Sequence, residues 1–231
     1  MPDHTPLGRI VITGGGAGLG AAVADAVAAG GGTPVVVDRV LPPGARHETH
    51  EADVSDTRRL EHVIAGIAAD GGLDGLVTAA GIDRPGRLDH VAPDAWERVI
   101  AVNLLGTVAA VRAALPHLEA SAGRVVTVAS TLALSAVSDA TAYCASKFGV
   151  LGFSRALAAE TKGRVGVTTL IPGGMRTNFF DDREEQYRPG ADARLSDPAD
   201  VASAVVFALS RPPGAEIREL LVCHSEESSW P

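Results

Sequence analysis

Cysteine is almost missing from this 231-residue chain, in which only Cys144 and Cys223 occur. A disulfide framework is thereby excluded, and a reducing compartment is expected. Positive charge is also in deficit, with 20 basic against 28 acidic side chains and a net charge of -8. Such a chain repels phosphate backbones and anionic lipid headgroups, so neither nucleic acid nor a membrane is an expected partner. The opening residues MPDHTPLGRI lack the basic and apolar regions of a signal peptide, which points to a cytoplasmic protein. The longest apolar run, residues 99–115, is interrupted by Asn103 and Arg112, each costing several kcal/mol in lipid. It reads as a buried helix. No repeat and no low-complexity linker divides the chain, so one domain over 1–231 is expected. What is abundant is apolar: 46% of residues are hydrophobic and 21% charged, enough for a large core.

Short β-branched runs alternate with longer Ala-rich periodic ones. Strands are expected at 9–13, 34–38, 47–53, 73–79, 124–130, 164–170 and 217–223. Helices are expected at 18–30, 56–70, 93–118 with a break near Asn103, 141–162 and 198–210. Strands joined by crossovers of this length pair in parallel with right-handed connections. The fold class is therefore α/β, a doubly wound seven-stranded parallel sheet with helices on both faces. Segment 178–196 has no periodicity and mixes acidic residues with Arg183, Arg188 and Arg194, a substrate loop or lid in a compact domain.

The first strand runs directly into glycines, as IVITGGGAGLG, and then into an Ala-rich helix. Gly14, Gly18 and Gly20 leave the backbone bare, and the helix offers free N–H groups and a positive dipole end to a pyrophosphate. The spacing is not G-x-G-x-x-G, and no Lys-Ser or Lys-Thr follows to make a triphosphate-binding P-loop. Asp38, at the end of the second strand, can accept hydrogen bonds from an adenosine ribose and would repel a 2′-phosphate. That favours NAD, while the neighbouring Arg39 keeps NADP possible.

The fifth strand ends in Ser130, followed by Tyr143 and Lys147 within YCASK. At i and i+4 the last two share one helix face, about 6 Å apart along the axis. A cation about 4 Å from a phenol is worth up to roughly 4 kcal/mol at an effective dielectric of about 20, enough to bring it from about 10 to near 7. Ser130 lies at a strand carboxyl end, where open α/β sheets place ligands. Alone, a Tyr/Lys pair is more often a surface pair; the strand-end serine and the glycine turn make it a candidate for proton transfer. Other polar residues read as structural. Cys144 points about 100° away from Tyr143 and reads as a small packing residue. His47 and His50, three apart on a strand, face opposite ways, and no metal is expected. Ser154 lies inside a helix rather than at a strand-to-helix turn, which removes an acyl-transfer reading.

Taken together, Thr13-Gly14 with Gly18 and Gly20, Asp53-Val54, Asn103, Ser130, Tyr143, Lys147, Pro172-Gly173 and Thr177 resemble the single-domain short-chain dehydrogenase/reductases over nearly the whole chain. The resemblance implies a Rossmann-like fold and an oxidoreductase moving a hydride between NAD and a small secondary alcohol or ketone. It implies that Tyr143 is the general acid or base, that Lys147 lowers its pKa and binds the nicotinamide ribose, and that Ser130 orients the substrate. Asn103 would hold a water linking Lys147 to solvent. The dinucleotide would lie along Thr13, Gly14, Gly18, Leu19 and Gly20, with Asp38 at its ribose and Asp53 and Val54 at its adenine. Ala80 and Gly81, then Pro172, Gly173, Met175 and Thr177, would line the rest, Thr177 at the carboxamide. Thr78-Ala79-Ala80-Gly81 departs from the family's Asn-Asn-Ala-Gly, and the tail LLVCHSEESSWP lacks its common glycine-rich ending. Neither departure touches the expected chemistry; Trp230 in that tail is expected to pack on its own or a neighbouring subunit. The substrate pocket is expected to draw on 131–134, 173–176 and the 178–196 loop. Helices near 104–118 and 141–160 are apolar on most sides, which with the resemblance implies a homodimer or homotetramer. Two other readings stand beside this one: an NADPH-dependent reductase of carrier-bound or small ketones, and a non-catalytic dinucleotide-binding sensor or scaffold. The intact Ser130, Tyr143 and Lys147 argue against the second.

Overall fold

The computed structural model describes residues 6–41, 43–227 and 229. Among them, seven strands form one parallel sheet in the order β3-β2-β1-β4-β5-β6-β7. These are β1 (Arg9–Thr13), β2 (Thr33–Asp38), β3 (Glu48–Glu51), β4 (Gly75–Thr78), β5 (Arg124–Val128), β6 (Gly166–Pro172) and β7 (Glu219–Val222). The order reverses between β1 and β4, and a crevice opens there at the strand carboxyl ends.

Both sheet faces are covered, and the alternation of side chains explains why the strands are apolar throughout. Val11, Val35, Val37, Leu76, Val125 and Val167 face one core cluster, whereas Ile10, Ile12, Val36, Val77, Val126 and Leu170 face the other. The first cluster is completed by α2 (Thr57–Gly71), α4 (Gly106–Ser121) and α5 (Thr141–Glu160), the second by α1 (Gly18–Ala29) and α6 (Pro198–Leu209). Each fully buried Val, Leu or Ile contributes about 1.5–3 kcal/mol, so this double layer dominates stability. Helix starts are marked by side chains: Asp56 accepts from Arg59 N at 3.1 Å to cap α2, and Asp197 accepts from Ala199 N at 2.9 Å to cap α6.

The expected break near Asn103 is absent. Helix α3 (Pro93–Ile100) continues through a π-helical turn, Ala101–Leu105, straight into α4. A π turn holds one more residue than an α turn, so the ladder survives (Gly106 N–H bonds Ala101 O) while Asn103 is re-aimed inward. By length and composition Pro93–Ser121 could cross a bilayer; here it packs on α2, α5 and the sheet. Every strand but β1 also differs at one or both limits by one or two residues: β2 starts at Thr33, β4 spans only Gly75–Thr78, and β5 ends at Val128, two residues before Ser130. Strand β3 begins at Glu48, after His47, whose Nε2 pairs with Asp25 at 3.0 Å while His50 turns to Glu48. Strand β6 starts only at Gly166, because Arg164 and Val165 donate to Thr161 O in the turn that ends α5. Strand β7 is shortened to Glu219–Val222.

Candidate active site

The glycine turn between β1 and α1 forms the floor of a cleft of about 520 Å³, inside the range of about 300–1,000 Å³ for small-molecule sites. Gly14 has φ +70°, and a Cβ there would stand 2.5 Å from Ala80 Cα. At Gly20 it would run into the Gly14 carbonyl oxygen. The turn is thus compact because it is bare. Helix α1 follows with Ala17 at its N-cap, a residue with no side-chain acceptor, so its first amides and positive dipole end serve an anionic ligand group. Asp38 sits beside them: its Oδ2 accepts from Gly16 N at 2.9 Å and its Oδ1 from Val40 N at 3.2 Å. These residues fit a dinucleotide.

At the other end of the cleft Ser130, Tyr143 and Lys147 converge. Ser130 extends from the end of β5 and caps the short 3-10 turn Thr131–Ala133 by accepting from Leu132 N at 3.1 Å. Tyr143 and Lys147 share the inner face of α5, with Lys147 Nζ 5.6 Å from the phenol ring centroid and donating to Val128 O at 2.8 Å. Burial pushes the phenol above its usual range, while a hydrogen bond with Ser130 pulls the other way. Burial also brings Lys147 down to about 8, opposed by the charge of Asp83. The phenol therefore stands above its usual range in this structure, with burial as the largest cause. Both groups leave water together, and desolvation disfavours the charged form of each.

Two elements close over this end. The loop after β6 makes short 3-10 turns at Asn178–Phe180 and Glu185–Tyr187, and puts the Phe179 ring edge-on to Tyr143 at 5.9 Å. From the same loop Arg183 reaches Asp83, at 2.7 Å. The segment after β7 turns back as well. Glu227 accepts from Gly174 N at 2.9 Å, and Ser229 Oγ lies 2.6 Å from Thr131 Oγ1, so both tail residues line the cleft. The tail, whose role the sequence left open, thus contributes to the wall of the cleft; Trp230 lies outside the described residues.

A match to the family described as short chain dehydrogenase covers residues 9–188. The chain belongs to the short-chain dehydrogenases. It is accordingly an oxidoreductase of CH–OH groups that takes a nicotinamide dinucleotide. It is 34% identical over 221 residues to a D-threitol dehydrogenase of Mycolicibacterium smegmatis, covering 87% of this chain and 85% of that protein. It is 32% identical over 219 residues to a 2,5-dichloro-2,5-cyclohexadiene-1,4-diol dehydrogenase of Sphingobium indicum, covering 87% and 88%. The solved aldohexose dehydrogenase of Thermoplasma acidophilum superposes with a TM-score of 0.87 at 25% identity, covering 95% of this chain and 94% of that one.

Against the family pattern, most residues singled out from sequence line the cleft: Gly14, Gly18, Leu19, Gly20, Asp38, Asp53, Val54, Ala80, Gly81, Ser130, Tyr143, Lys147, Pro172, Gly173, Met175 and Thr177. Thr13 and Asn103 lie behind it, each nearly fully buried. Asn103 does not face the cleft: its Oδ1 accepts from Ile82 N at 2.8 Å and its Nδ2 donates to Ile82 O and Ser146 Oγ. Its carbonyl accepts from Thr107 Oγ1 at 2.8 Å. It ties the Ile82 backbone to Ser146 of α5, the residue before Lys147. Asp53 is committed to Ser55 and Arg98, and Thr177 caps its own turn by accepting from Phe179 N. The departure at Thr78 leaves a buried Oγ1 with no partner among the described residues. Sequence reading missed Asp83, Glu227 and Ser229; the proximity of Asp83 to Gly81 was the one available signal, and the tail offered none.

Proposed function

We propose that this dehydrogenase interconverts a secondary alcohol and the corresponding ketone with NAD, the proton passing through Tyr143. The observation that carries this reading is the convergence of Ser130, Tyr143 and buried Lys147 at one end of a cleft whose other end is the bare glycine turn. A bound nicotinamide ring supplies or takes up the hydride. Ser130 holds the substrate oxygen through its hydroxyl, and Tyr143, hydrogen-bonded to Ser130, gives or receives the proton on that same oxygen. Lys147 keeps a positive charge behind the phenol, favouring the phenolate form against the opposing effect of burial. Phe179 and the Arg183 loop line the same space, with the Phe179 ring edge-on to Tyr143.

The preference for NAD rests on Asp38, whose carboxylate is held against the turn and repels a 2′-phosphate. Arg39 also lines the cleft and is the feature that favours the NADP alternative. Steady-state assays of nicotinamide absorbance with both coenzymes test the whole reading. Turnover of secondary alcohols with kcat/KM at least about tenfold higher for NAD is expected, which is the arithmetic of one charge contact of about 1.4 kcal/mol. A tenfold preference for NADP would overturn the coenzyme choice, and absence of turnover across alcohols and ketones would overturn the reaction.

We also propose a homodimer or homotetramer built on α4 and α5. Leu105, in the π turn that leads into α4, and Phe148 on α5 are 49% and 45% exposed, an apolar face of the kind that marks subunit contacts. Light scattering at micromolar concentration is expected to give a mass of at least two chains; the mass of one chain would refute it.

A further inference from the structure

Asp83 and Arg183 line the cleft beside Tyr143, yet neither belongs to the proton-transfer group. They are buried charges, with side chains 5% and 17% exposed. Asp83 Oδ1 accepts from its neighbour Arg84 N at 2.7 Å and Oδ2 from Arg183 Nη2 at 2.7 Å, so each oxygen keeps a further lone pair. Arg183 donates through Nη1 to Tyr187 O at 3.2 Å and lies over the rings of Phe179 and Phe180 at 5.3 and 4.5 Å from their centroids. Its Nε is a buried donor with no hydrogen-bond partner among the described residues. Phe179, which carries this guanidinium on one side, touches the Tyr143 ring on another. The pair therefore stands next to the position of the reacting oxygen.

We propose that Asp83 and Arg183 form a subsite for a second hydroxyl carried next to the reacting carbinol, so that the substrate is a small vicinal diol or polyol. This rests on the alcohol/ketone reading above. The chemistry of the two groups selects the ligand. A hydroxyl donates to a spare lone pair of Asp83 and accepts from a remaining Nη–H of the Arg183 guanidinium, both residues lining the cleft. A ligand carboxylate would satisfy the guanidinium but meet the Asp83 charge, and a ligand ammonium would meet the reverse. A hydrocarbon chain would take water from both charged groups and give neither a hydrogen-bond partner, which costs their desolvation. Sites built to hydrogen-bond a hydroxyl reject analogues lacking it far more strongly than apolar pockets reject an extra methylene. Phe179 supplies a flat apolar surface for the C–H face of the same ligand.

Matched pairs test this directly: vicinal cyclohexanediol against cyclohexanol, and erythritol against secondary butanol, each assayed for kcat/KM with the intact enzyme and NAD or NADP. The diol or polyol is expected to exceed its mono-alcohol by about a hundredfold or more. Arg183→Met and Asp83→Asn are each expected to cut that ratio at least about tenfold, with NADH fluorescence reporting that each variant binds coenzyme and is folded. Arg183 stands on a surface loop, so its variant keeps the test open even where Asp83→Asn fails to fold. Equal use of diol and mono-alcohol by the unaltered enzyme, or an unchanged ratio in Arg183→Met, would overturn the subsite while leaving the alcohol reading intact. NADH binding without turnover of any alcohol or ketone would instead overturn the alcohol reading, and the subsite with it.

Discussion

Replacing Tyr143 by Phe lowers kcat by about 10²–10⁴-fold, the usual contribution of a positioned general acid or base, while coenzyme affinity stays within about threefold. Phenylalanine keeps the ring against Phe179 and the apolar body in the same buried space. Only the oxygen is lost, together with its hydrogen bond to Ser130. Because a buried polar group is removed along with only one hydrogen bond, stability should change by no more than about 1 kcal/mol. The comparison of kcat with coenzyme binding therefore isolates proton transfer from folding and from the dinucleotide cradle. Retention of more than about a tenth of the turnover would place the proton route elsewhere.

Replacing Lys147 by Met is expected to have the opposite effects on activity and stability. Lys147 is 4% exposed, and burial brings its pKa from the usual 10.5 down to about 8. That drop corresponds to about 3 kcal/mol of disfavoured charge. Below pH 8 the lysine is protonated in both folded and unfolded chains, and the folded state bears the whole desolvation cost. Between about 8 and 10.5 the unfolded chain holds more protons than the folded one, so the stability of the unaltered enzyme rises with pH. A methionine of similar length bears no such cost, although the Lys147 hydrogen bond to Val128 O is lost. A net gain of about 1–2 kcal/mol at pH 7 is expected, or about 2–8 °C in Tm for a chain of this size. The gap should narrow toward pH 10. Turnover should fall at least about a hundredfold at the same time. Thermal melts at the two pH values check the stability, and a variant that melts lower at pH 7 would refute the origin assigned to the lysine's lowered pKa.

These two expectations start from residues that were visible in the sequence, because the i, i+4 spacing of Tyr143 and Lys147 and the glycine spacing of the first turn are local facts. Their electrostatic setting was not visible. The spacing alone suggests a phenol brought near neutrality by its lysine, whereas three-dimensional burial of both groups raises the phenol and lowers the amine. Asn103 shows the same limit. It was noticed as an interruption, but the π turn that keeps the helix whole and turns the amide onto Ile82 depends on what lies across the sheet, in β4 and the loop after it. Strand limits shifted by one or two residues at every strand but β1 for a similar reason: strands end where a neighbouring strand stops offering hydrogen bonds.

The chain alone determined its sheet, its glycine turn and the pairing of Tyr143 with Lys147 on one helix face, since each follows from periodicity or short spacing within a few residues. The tertiary structure decided the surroundings of the substrate. Arg183 meets Asp83 across 100 positions of sequence, and Ser229 meets Thr131 across 98. No local pattern encodes contacts at that separation. They exist because a parallel sheet gathers the carboxyl ends of all its strands along one edge, and whatever loop or tail reaches that edge becomes part of the site.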